Sequence, residues 1–252
     1  MRNLTITILS LFLFLNSCTE KKDKIIMGAI RWDAWHGGDG SIYRSVQKAL
    51  SPKEFHFRIP FYGKILTDDS VTVDGSSQQV MDEEINLATA VGLDYWAFVT
   101  YEDESPMSIA IENYLKSKSR EKINFCLITE TGRWNNPQYL KRCLRLITQP
   151  GYQLVENGRP LLYLLYFNDE GMKKMYGTKA AFRAKIDSFR LAVTATGMKD
   201  PYIVVMDFDA KKQKAWCDSL GCQALSCYAF SKSRSNASYQ QLSDDAEWFW
   251  NE

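Results

Sequence analysis

QVMDEEINLATAVGLDYWAFVTYE, residues 79–102, decides the fold of this 252-residue chain. Its first half is typical of an amphipathic helix. The apolar face of that helix is predicted to hold Val80, Ile85, Ala88 and Val91. Gly92 follows the last periodic residue, where a helix often ends in the left-handed conformation that glycine tolerates best. The run Tyr95–Val99 is apolar, aromatic and too short for a helix, which indicates a strand covered on both faces.

Outward from this unit, strand and helix patterns alternate along the whole chain. Alternation of this kind predicts a parallel sheet with crossover helices. Seven strands are expected, starting near Ile25, Phe55, Tyr95, Asn124, Leu161, Tyr202 and Ala224. The second of them is the run Phe55–Phe61, and the polar stretch from Tyr62 to Ser77 is expected to be a long loop.

The expected fold class is α/β, specifically a (β/α)8 TIM-type barrel that lacks its last strand–helix unit. Eight strands would close such a barrel, which needs about 250 residues. A doubly wound open sheet is the competing architecture. Against it, the GGDG sequence at residues 37–40 lacks the spacing of a phosphate-binding fingerprint after the first strand.

Charge and composition exclude several classes of partner. The chain has 31 basic and 30 acidic side chains and a formal net charge of +1. The basic residues are scattered, so no nucleic-acid partner is expected. The only histidines are His36 and His56 and no Cys-x-x-Cys pair occurs, so no metal site is expected. No P-loop, Ser-His-Asp order or HExxH motif occurs, and no cofactor is expected.

The N-terminus has the layout of a secretory signal. Arg2 precedes an apolar run that is too short to span a membrane comfortably, and Leu15-Asn16-Ser17-Cys18 resembles a bacterial lipoprotein box. That resemblance implies cleavage before Cys18 and lipid attachment to its sulfur. An ordinary signal peptide or a membrane anchor with an incidental cysteine is the alternative. The expected division is a signal peptide at 1–17, a hydrophilic tether at 18–24 and a truncated barrel domain at 25–252.

Five cysteines lie beyond Cys18. Cys126 and Cys227 lie in apolar strand-like runs and are expected to be small core residues. Cys217 and Cys222 are separated by four residues. They could form a disulfide in an oxidising compartment or remain free thiols at the end of a helix.

Candidate functional residues follow the predicted strands, because the working face of a parallel barrel is the carboxyl end of its strands. The predicted substrate-binding residues are Trp32, Asp33, Trp35, His36, Tyr62, Tyr101, Glu102, Arg133, Tyr166 and Tyr228. The predicted catalytic carboxylates are Glu130 and Asp207, each at the end of an apolar strand. Aromatic rings can stack on sugar rings, and carboxylates can accept hydroxyl hydrogens or act as acid and base.

Several of these residues have a purely structural alternative. The two tryptophans, Trp32 and Trp35, could simply pack in the barrel mouth. His36 could be a solvated loop residue beside glycines, and most short acidic runs such as the one that begins at Glu102 are solvated loops. Beside Asp207, Asp209 could cap the following helix.

Six segments in a defined order resemble glycoside hydrolase family 99-like proteins. They are GAIRWDAWHG (28–37), IPFYGK (59–64), MDEEINLATAVGLDYWAFVTY (81–101), FCLITE (125–130), ENGRPLLYLL (156–165) and SYQQLSDDAEWFW (238–250). That group includes retaining endo-alpha-mannosidases, related domains of polysaccharide and O-antigen loci, and lipoproteins of gut Bacteroidetes. The resemblance covers most of the chain after the tether, and the helix–strand unit is its most specific part.

The resemblance implies a (β/α)8 barrel that acts on polysaccharide or glycan chains. It implies that Arg31–Trp35 line the sugar site, that Glu130 contacts sugar, and that Tyr101 lies among the polar residues of the third strand. The family's paired catalytic glutamates belong to a late motif, Asn-Glu-Trp-x-Glu-Gly, that this chain lacks. Asn251-Glu252 looks like its start but lies in a predicted helix. The chain is therefore expected to stop before the final unit of the family and to be impaired in hydrolysis.

The function expected from the sequence is that of an exported, lipid-anchored glycoside hydrolase-like domain. Its partners would be a polysaccharide or glycan, possibly mannose-containing, and a membrane reached through the lipid anchor, so its place would be the cell envelope. The alternative is a non-catalytic carbohydrate-binding lipoprotein. A glycan-assembly protein is a third reading, and the signal peptide argues against a cytoplasmic version of it.

Overall fold

The structure is a computed structural model that describes residues 25–38, 40–228 and 236–251. The predicted signal peptide, Cys18 and the tether lie outside the described residues, as does the end of the last predicted strand at Phe230. Within the described part, no helix has both the length and the hydropathy that crossing a bilayer requires. Cys217 and Cys222 are free thiols, as are the other three cysteines of this part.

Strands and helices alternate over most of the chain. The strands are β1 (Gly28–Arg31), β2 (Gly63–Thr67), β3 (Ser70–Val73), β4 (Tyr95–Val99), β5 (Asn124–Glu130), β6 (Leu154–Val155), β7 (Arg159–Leu165), β8 (Tyr202–Asp207) and β9 (Ala224–Cys227). The α-helices are α1 (Ser41–Leu50), α2 (Gln78–Ala90), α3 (Ile109–Lys116), α4 (Pro137–Ile147), α5 (Asp169–Tyr176), α6 (Lys179–Thr194), α7 (Ala210–Leu220) and α8 (Tyr239–Asn251). Short 3-10 helices cover Lys53–Arg58, Pro106–Ser108, Arg120–Lys122 and Thr131–Arg133.

The main sheet is parallel, and its strands lie in the order in which they occur in the chain. The order is β1-β4-β5-β7-β8-β9, with the short β6 pairing antiparallel to β7. A doubly wound sheet reverses its strand order at a switch point, and this sheet does not. Right-handed crossovers in a single direction place the helices on one face, as in part of a TIM-type barrel. Among the described residues β1 and β9 are the edges of the sheet, so the sheet is open.

Both faces of the sheet are buried, although the crossover helices cover only one of them. On the helix side, Trp96 and Phe98 of β4 and Phe125 of β5 pack around Tyr114 of α3. On the inner face, alternate residues of neighbouring strands contact one another. The hydroxyls of Tyr95 on β4 and Tyr163 on β7 lie 2.9 Å apart across β5. Side chains of alternate residues therefore separate an inner layer from a helix-side layer.

The predicted second strand, Phe55–Phe61, is wrong. Residues Lys53–Arg58 form a 3-10 helix whose Phe57 is exposed. His56 and Arg58 alternate with the phenylalanines, so a strand inside a parallel sheet would bury both of them. Arg58 instead lies over the rings of Phe55 and Phe57, 5.1 Å from each centroid.

The predicted loop from Tyr62 to Ser77 contains an antiparallel hairpin instead. β2 and β3 pair from Gly63↔Val73 to Thr67↔Ser70, so Asp68 and Asp69 form the turn. Val71 and Val73 of β3 are buried, and they pack with Leu50 of α1. Asp68-Asp69 is not one of the glycine-containing pairs that mark two-residue hairpin turns, so the sequence gives little sign of this hairpin.

The opening helix and its caps follow the sequence closely, with one error in the buried face. Met81, Ile85 and Ala88 of α2 are buried, whereas Val91 is 70% exposed. Gly92 has the expected positive φ of 82°. The side chains of Ser77, Asn136 and Asp209 accept hydrogen bonds from backbone N–H groups of α2, α4 and α7, so the cap suggested for Asp209 is confirmed.

Gln213 of α7 offers a test of core packing. Its side chain is fully buried, and neither amide atom has a hydrogen-bond partner among the described residues. A buried polar group without a partner destabilises the folded state, so Gln213→Met should raise the free energy of unfolding by about 1 kcal/mol. The measurement is the urea midpoint at an unchanged slope. The exposed Gln79→Met is the matched control, and a lower midpoint for Gln213→Met would show that the amide is satisfied by buried water.

Candidate functional site

Residues from six strand ends meet at the carboxyl edge of the sheet. We call them the rim cluster: Trp32, Tyr101, Glu102, Glu130, Arg133, Tyr166, Phe208 and Tyr228. They follow β1, β4, β5, β7, β8 and β9, or end them. The parallel pairing of these strands brings their carboxyl ends to one edge, which is why residues up to 196 positions apart in sequence lie together.

Arg133 occupies the centre of the rim cluster. It ends the 3-10 helix that follows β5, and its Nε donates to Glu130 Oε2 at 2.7 Å. Its Nη1 also donates to Glu102, and the guanidinium lies 4.7 Å from the centroid of the Tyr101 ring. Burial alone would lower the pKa of Arg133, but the two carboxylates outweigh burial and raise it. One cation thus holds two carboxylates side by side.

Tyr101 joins the first strand to this centre. The Trp32 indole Nε1 donates to the Tyr101 hydroxyl at 2.9 Å. Burial, with Glu130 nearby, raises the pKa of the Tyr101 phenol to about 12. Tyr101 itself is buried, so it acts as a support for Trp32 and Arg133.

Three aromatic side chains of the rim cluster are open to solvent. Trp32, Tyr166 and Phe208 are 44%, 43% and 44% exposed. Tyr166 and Phe208 are stacked with centroids 6.0 Å apart at 23°, and Tyr228 lies 6.5 Å from the first and 6.1 Å from the second. Exposed aromatic faces beside ion-paired carboxylates suit a ligand that has both an apolar face and hydroxyl groups.

Tyr166 is held in an unusual backbone conformation. Its φ is +65°, in the left-handed region that few residues other than glycine adopt. Such a conformation costs on the order of 1 kcal/mol or more and persists only where surrounding contacts enforce it. The Thr131 hydroxyl donates to the Tyr166 carbonyl, which is one such contact.

Asp207 lies behind the rim cluster. Its side chain is buried, and its two oxygens accept hydrogen bonds from the backbone N–H groups of Phe167 and Phe208 at 3.2 and 2.9 Å. These bonds join the ends of β7 and β8 and orient Phe208. A positioning role fits these contacts, and the catalytic role of Asp207 stays a prediction.

Four of the predicted binding residues lie in a different place from the rim cluster. Asp33, Trp35, His36 and Tyr62 line a small cleft with Arg31 and Glu84, which we call the Arg31 cluster. Arg31 and Trp32 are consecutive, so their side chains point to opposite faces of the sheet. Among the described residues no hydrogen bond or ion pair links the two clusters.

Arg31 organises this second cluster. Its guanidinium donates to Asp33 Oδ1 at 3.0 and 2.6 Å and to Glu84 Oε2 at 2.9 Å. It also lies over the rings of Trp96 and Phe98, 4.3 and 5.4 Å from their centroids. Burial raises the pKa of Glu84 although Arg31 opposes the change. The cluster therefore anchors the loop after β1 to α2.

The other predicted binding residues of the Arg31 cluster lie around the loop after β1 and support it. Trp35 packs against the apolar residues under the β2–β3 hairpin, and its carbonyl accepts a hydrogen bond from the Gly75 N–H at 2.7 Å. His36 is buried, and its Nδ1 lies 2.7 Å from the Gly37 carbonyl oxygen. Burial, with Glu84 nearby, raises the pKa of Tyr62.

Sequence reasoning missed two functional residues, Glu84 and Phe208. Phe208 follows a strand end directly, so the rule that found Tyr166 could have found it. Glu84 lies on the half-buried side of α2, and nothing local in the sequence links it to Arg31. Across the described residues, no group of three or more His, Cys, Asp or Glu side chains could hold a metal ion.

Comparison with known proteins gives likenesses of fold only. No protein-family model and no curated protein matches the chain. Two similar solved structures are GH99 endo-alpha-mannosidases from Bacteroides thetaiotaomicron, the first in complex with bis-tris-propane. The first is 12% identical over 81% of this chain and 59% of its own, with a TM-score of 0.48. The second is 10% identical over 66% of this chain and 73% of its own, with a TM-score of 0.34.

The chain thus spans about 59% of the length of the first of these structures. Both identities are low, and the parallel α/β arrangement of this chain is established by its own strand pairing.

The Tyr101 phenol predicts a pH dependence of stability. The folded phenol keeps its proton up to about pH 12, whereas an unfolded tyrosine ionises near about pH 10. The stability that Tyr101 contributes to the folded state is therefore complete below pH ~10. It is lost as the pH rises through the pKa of the folded phenol. Tyr101→Phe should lower the free energy of unfolding by about 1 kcal/mol at neutral pH, with a gap from wild type that narrows in alkaline buffer.

Urea unfolding from pH 7 to pH 11 measures that gap. Trp32→Phe is the control, because it removes the same hydrogen bond and keeps the phenol. A gap for Tyr101→Phe that stays constant with pH would contradict the prediction.

Proposed function

We propose that this chain binds a glycan at the rim cluster and is a glycoside hydrolase-like domain. The observation that carries the proposal is the group of exposed rings of Trp32, Tyr166 and Phe208 beside the Arg133-bridged carboxylates. Apolar sugar faces stack on aromatic rings, while sugar hydroxyls donate to carboxylates.

Within the cluster each residue has a distinct role in the proposal. Trp32 and the Tyr166–Phe208 pair provide stacking surfaces in the same cluster as Glu130. Glu130 and Glu102 accept hydroxyl hydrogens, and Arg133 holds both carboxylates in place. Asp207 and Tyr101 position the rings.

Hydrolysis is the second candidate, because the carboxylates of Glu102 and Glu130 both bind the guanidinium of Arg133. Glycosidases place their acid and their second carboxylate about 5 to 9.5 Å apart, and the acid must carry a proton. Glu130 and Glu102 both pair with Arg133, so one cation already engages both carboxylates. Binding is therefore the primary proposal, with mannose-containing glycans as the class that the resemblance indicates.

Glu130→Gln tests the binding proposal. It keeps the shape of the side chain and removes its charge, so affinity for a matching glycan should fall about tenfold, as expected for the loss of a charge-assisted hydrogen bond. Trp32→Ala should weaken binding roughly twofold to tenfold by removing a stacking face. Calorimetry with a glycan panel that includes mannans measures both effects, and reducing-sugar release tests hydrolysis in parallel.

Two matched variants sharpen this test. Glu83→Gln changes an exposed glutamate of α2 away from both clusters and should leave affinity unchanged. Glu84→Gln alters the Arg31 cluster and separates the two candidate sites. An affinity that responds to Glu84→Gln and not to Glu130→Gln would move the site from the rim cluster to the Arg31 cluster.

We also propose that the protein is exported and that a lipid on Cys18 anchors it to a membrane of the cell envelope. The support is the signal-like N-terminus that ends in Ser17-Cys18. In a bacterial host, labelled palmitate should enter the wild-type chain and not Cys18→Ser, and the variant should keep its signal segment by mass spectrometry. Cys222→Ser is the control, and equal labelling of wild type and Cys18→Ser would exclude the anchor.

A further inference from the structure

The peptide group between Tyr166 and Phe167 is held at both of its ends. Its carbonyl oxygen, on Tyr166, accepts a hydrogen bond from the Thr131 hydroxyl. Its N–H, on Phe167, donates to Asp207 Oδ2 at 3.2 Å. Thr131 and Asp207 are both buried, which strengthens each bond electrostatically. Two side chains from different strand ends thus fix the plane of this peptide group, and we call Thr131 and Asp207 the peptide clamp.

The peptide clamp accounts for the left-handed backbone of Tyr166. Leu165, the residue before it, is fixed by its pairing with Glu130 of β5 and Met206 of β8. The clamp fixes the peptide group after it. Tyr166 alone connects these two fixed parts of the chain, and its φ of +65° is the result. A residue other than glycine stays in this conformation only where the surrounding contacts enforce it.

A tyrosine at this position has a cost that a glycine would avoid, because glycine adopts a positive φ without strain. The ring that the tyrosine provides is not a core residue. It is 43% exposed and stacked on Phe208 at the surface of the rim cluster. The strained backbone therefore holds an exposed ring in one place, and strain of this kind is concentrated at ligand sites.

Thr131 is itself fixed by a neighbouring helix. Its carbonyl oxygen accepts a hydrogen bond from the Tyr176 hydroxyl of α5 at 2.6 Å. In the chain it follows Glu130 directly and precedes Arg133 by two residues. One threonine thus ties the charged part of the rim cluster, at the end of β5, to the aromatic part at the ends of β7 and β8.

We propose that Thr131 is a positioning residue of the glycan site. Its hydroxyl holds the Tyr166 carbonyl, so the Tyr166 ring stays stacked on Phe208 as a surface on which a sugar ring packs. Without that hydroxyl the backbone of Tyr166 leaves the left-handed region and the ring leaves Phe208. This role rests on the glycan site proposed above, whereas the hold on the Tyr166 backbone is measured without any glycan.

Urea unfolding of four chains measures this hold on the backbone. Tyr166→Gly and Tyr166→Ala both remove the ring, but only alanine has a Cβ that strains a positive φ. With Thr131 present, the unfolding equilibrium constant should be roughly fivefold larger for Tyr166→Ala than for Tyr166→Gly. With Thr131→Val added to each chain, this ratio should fall to about one or below, because the backbone is then free to leave the left-handed region.

Calorimetry with the tightest-binding member of the glycan panel, mannan oligosaccharides included, measures the effect on the site. Thr131→Val should weaken binding roughly threefold to tenfold, as expected when a stacking surface is displaced. Thr131→Ser keeps the hydroxyl and should bind as tightly as wild type. In a Tyr166→Ala chain, which lacks the ring, adding Thr131→Val should leave the dissociation constant unchanged, because the two residues act through one another.

Thr129→Val is the matched control. Thr129 is also buried, and its hydroxyl donates to another carbonyl of β7, that of Tyr163, at 3.0 Å. The variant loses the same kind of bond away from the rim cluster, so its stability should fall while its affinity for glycan stays the same. Circular dichroism checks that each variant is folded, and Thr131→Ala replaces Thr131→Val in both experiments if the valine variant does not fold.

The outcomes separate the role of Thr131 from the glycan site itself. A ratio of alanine to glycine at position 166 that Thr131→Val leaves unchanged would overturn the hold on the backbone. Unchanged affinity of Thr131→Val, in a protein whose binding Glu130→Gln weakens, would overturn the positioning role and leave the glycan site standing. A wild-type chain that binds no glycan of the panel would overturn both. A lower ratio, weaker binding, rescue by serine and an unaffected control support the role of Thr131.

Discussion

Backbone pairing of parallel strands in chain order is the constraint on which the rest of this structure depends. Each of the five parallel pairings from β1 to β9 joins strands whose carboxyl ends point the same way. The edge of the sheet therefore collects one short segment from each strand end. The rim cluster is the result, because Trp32, Tyr101, Glu130 and Tyr228 are contributed by four different strands. The same order places the crossover helices on one face of the sheet.

At that edge of the sheet, both ion pairs of the rim cluster depend on a single cation. Arg133 holds Glu130 and Glu102 together, and without it two carboxylates would face each other in a partly buried site. The Tyr101 ring supports the guanidinium, and the Tyr101 hydroxyl accepts a hydrogen bond from the Trp32 indole N–H. Charge, stacking and backbone strain at Tyr166 thus converge on one surface, which is why it is the candidate site.

Prediction from the sequence succeeds where local signals and tertiary packing agree. The bounds of α7 and the start of α4 at Asn136 and Pro137 follow from capping and periodicity alone. It fails at residues 53–73, where aromatic residues alternate with His56 and Arg58 in a way that resembles a strand. There the cost of burying charge inside a parallel sheet decides against the strand, and the local pattern does not report that cost.

The sequence by itself determined the alternation of strands and helices and the polar residues that follow each strand. Tertiary structure alone decided which of those residues share a site. Arg31 and Trp32 are neighbours in the chain, but side chains alternate along a strand with a period of two, so one joins α2 and the other joins the rim. Glu84 lies inside a helix, without the strand-end position that marks Glu130, and only the folded arrangement brings it to Arg31. A linear pattern specifies direction and order, whereas the meeting of distant residues depends on how the strands pair and on which face each side chain takes.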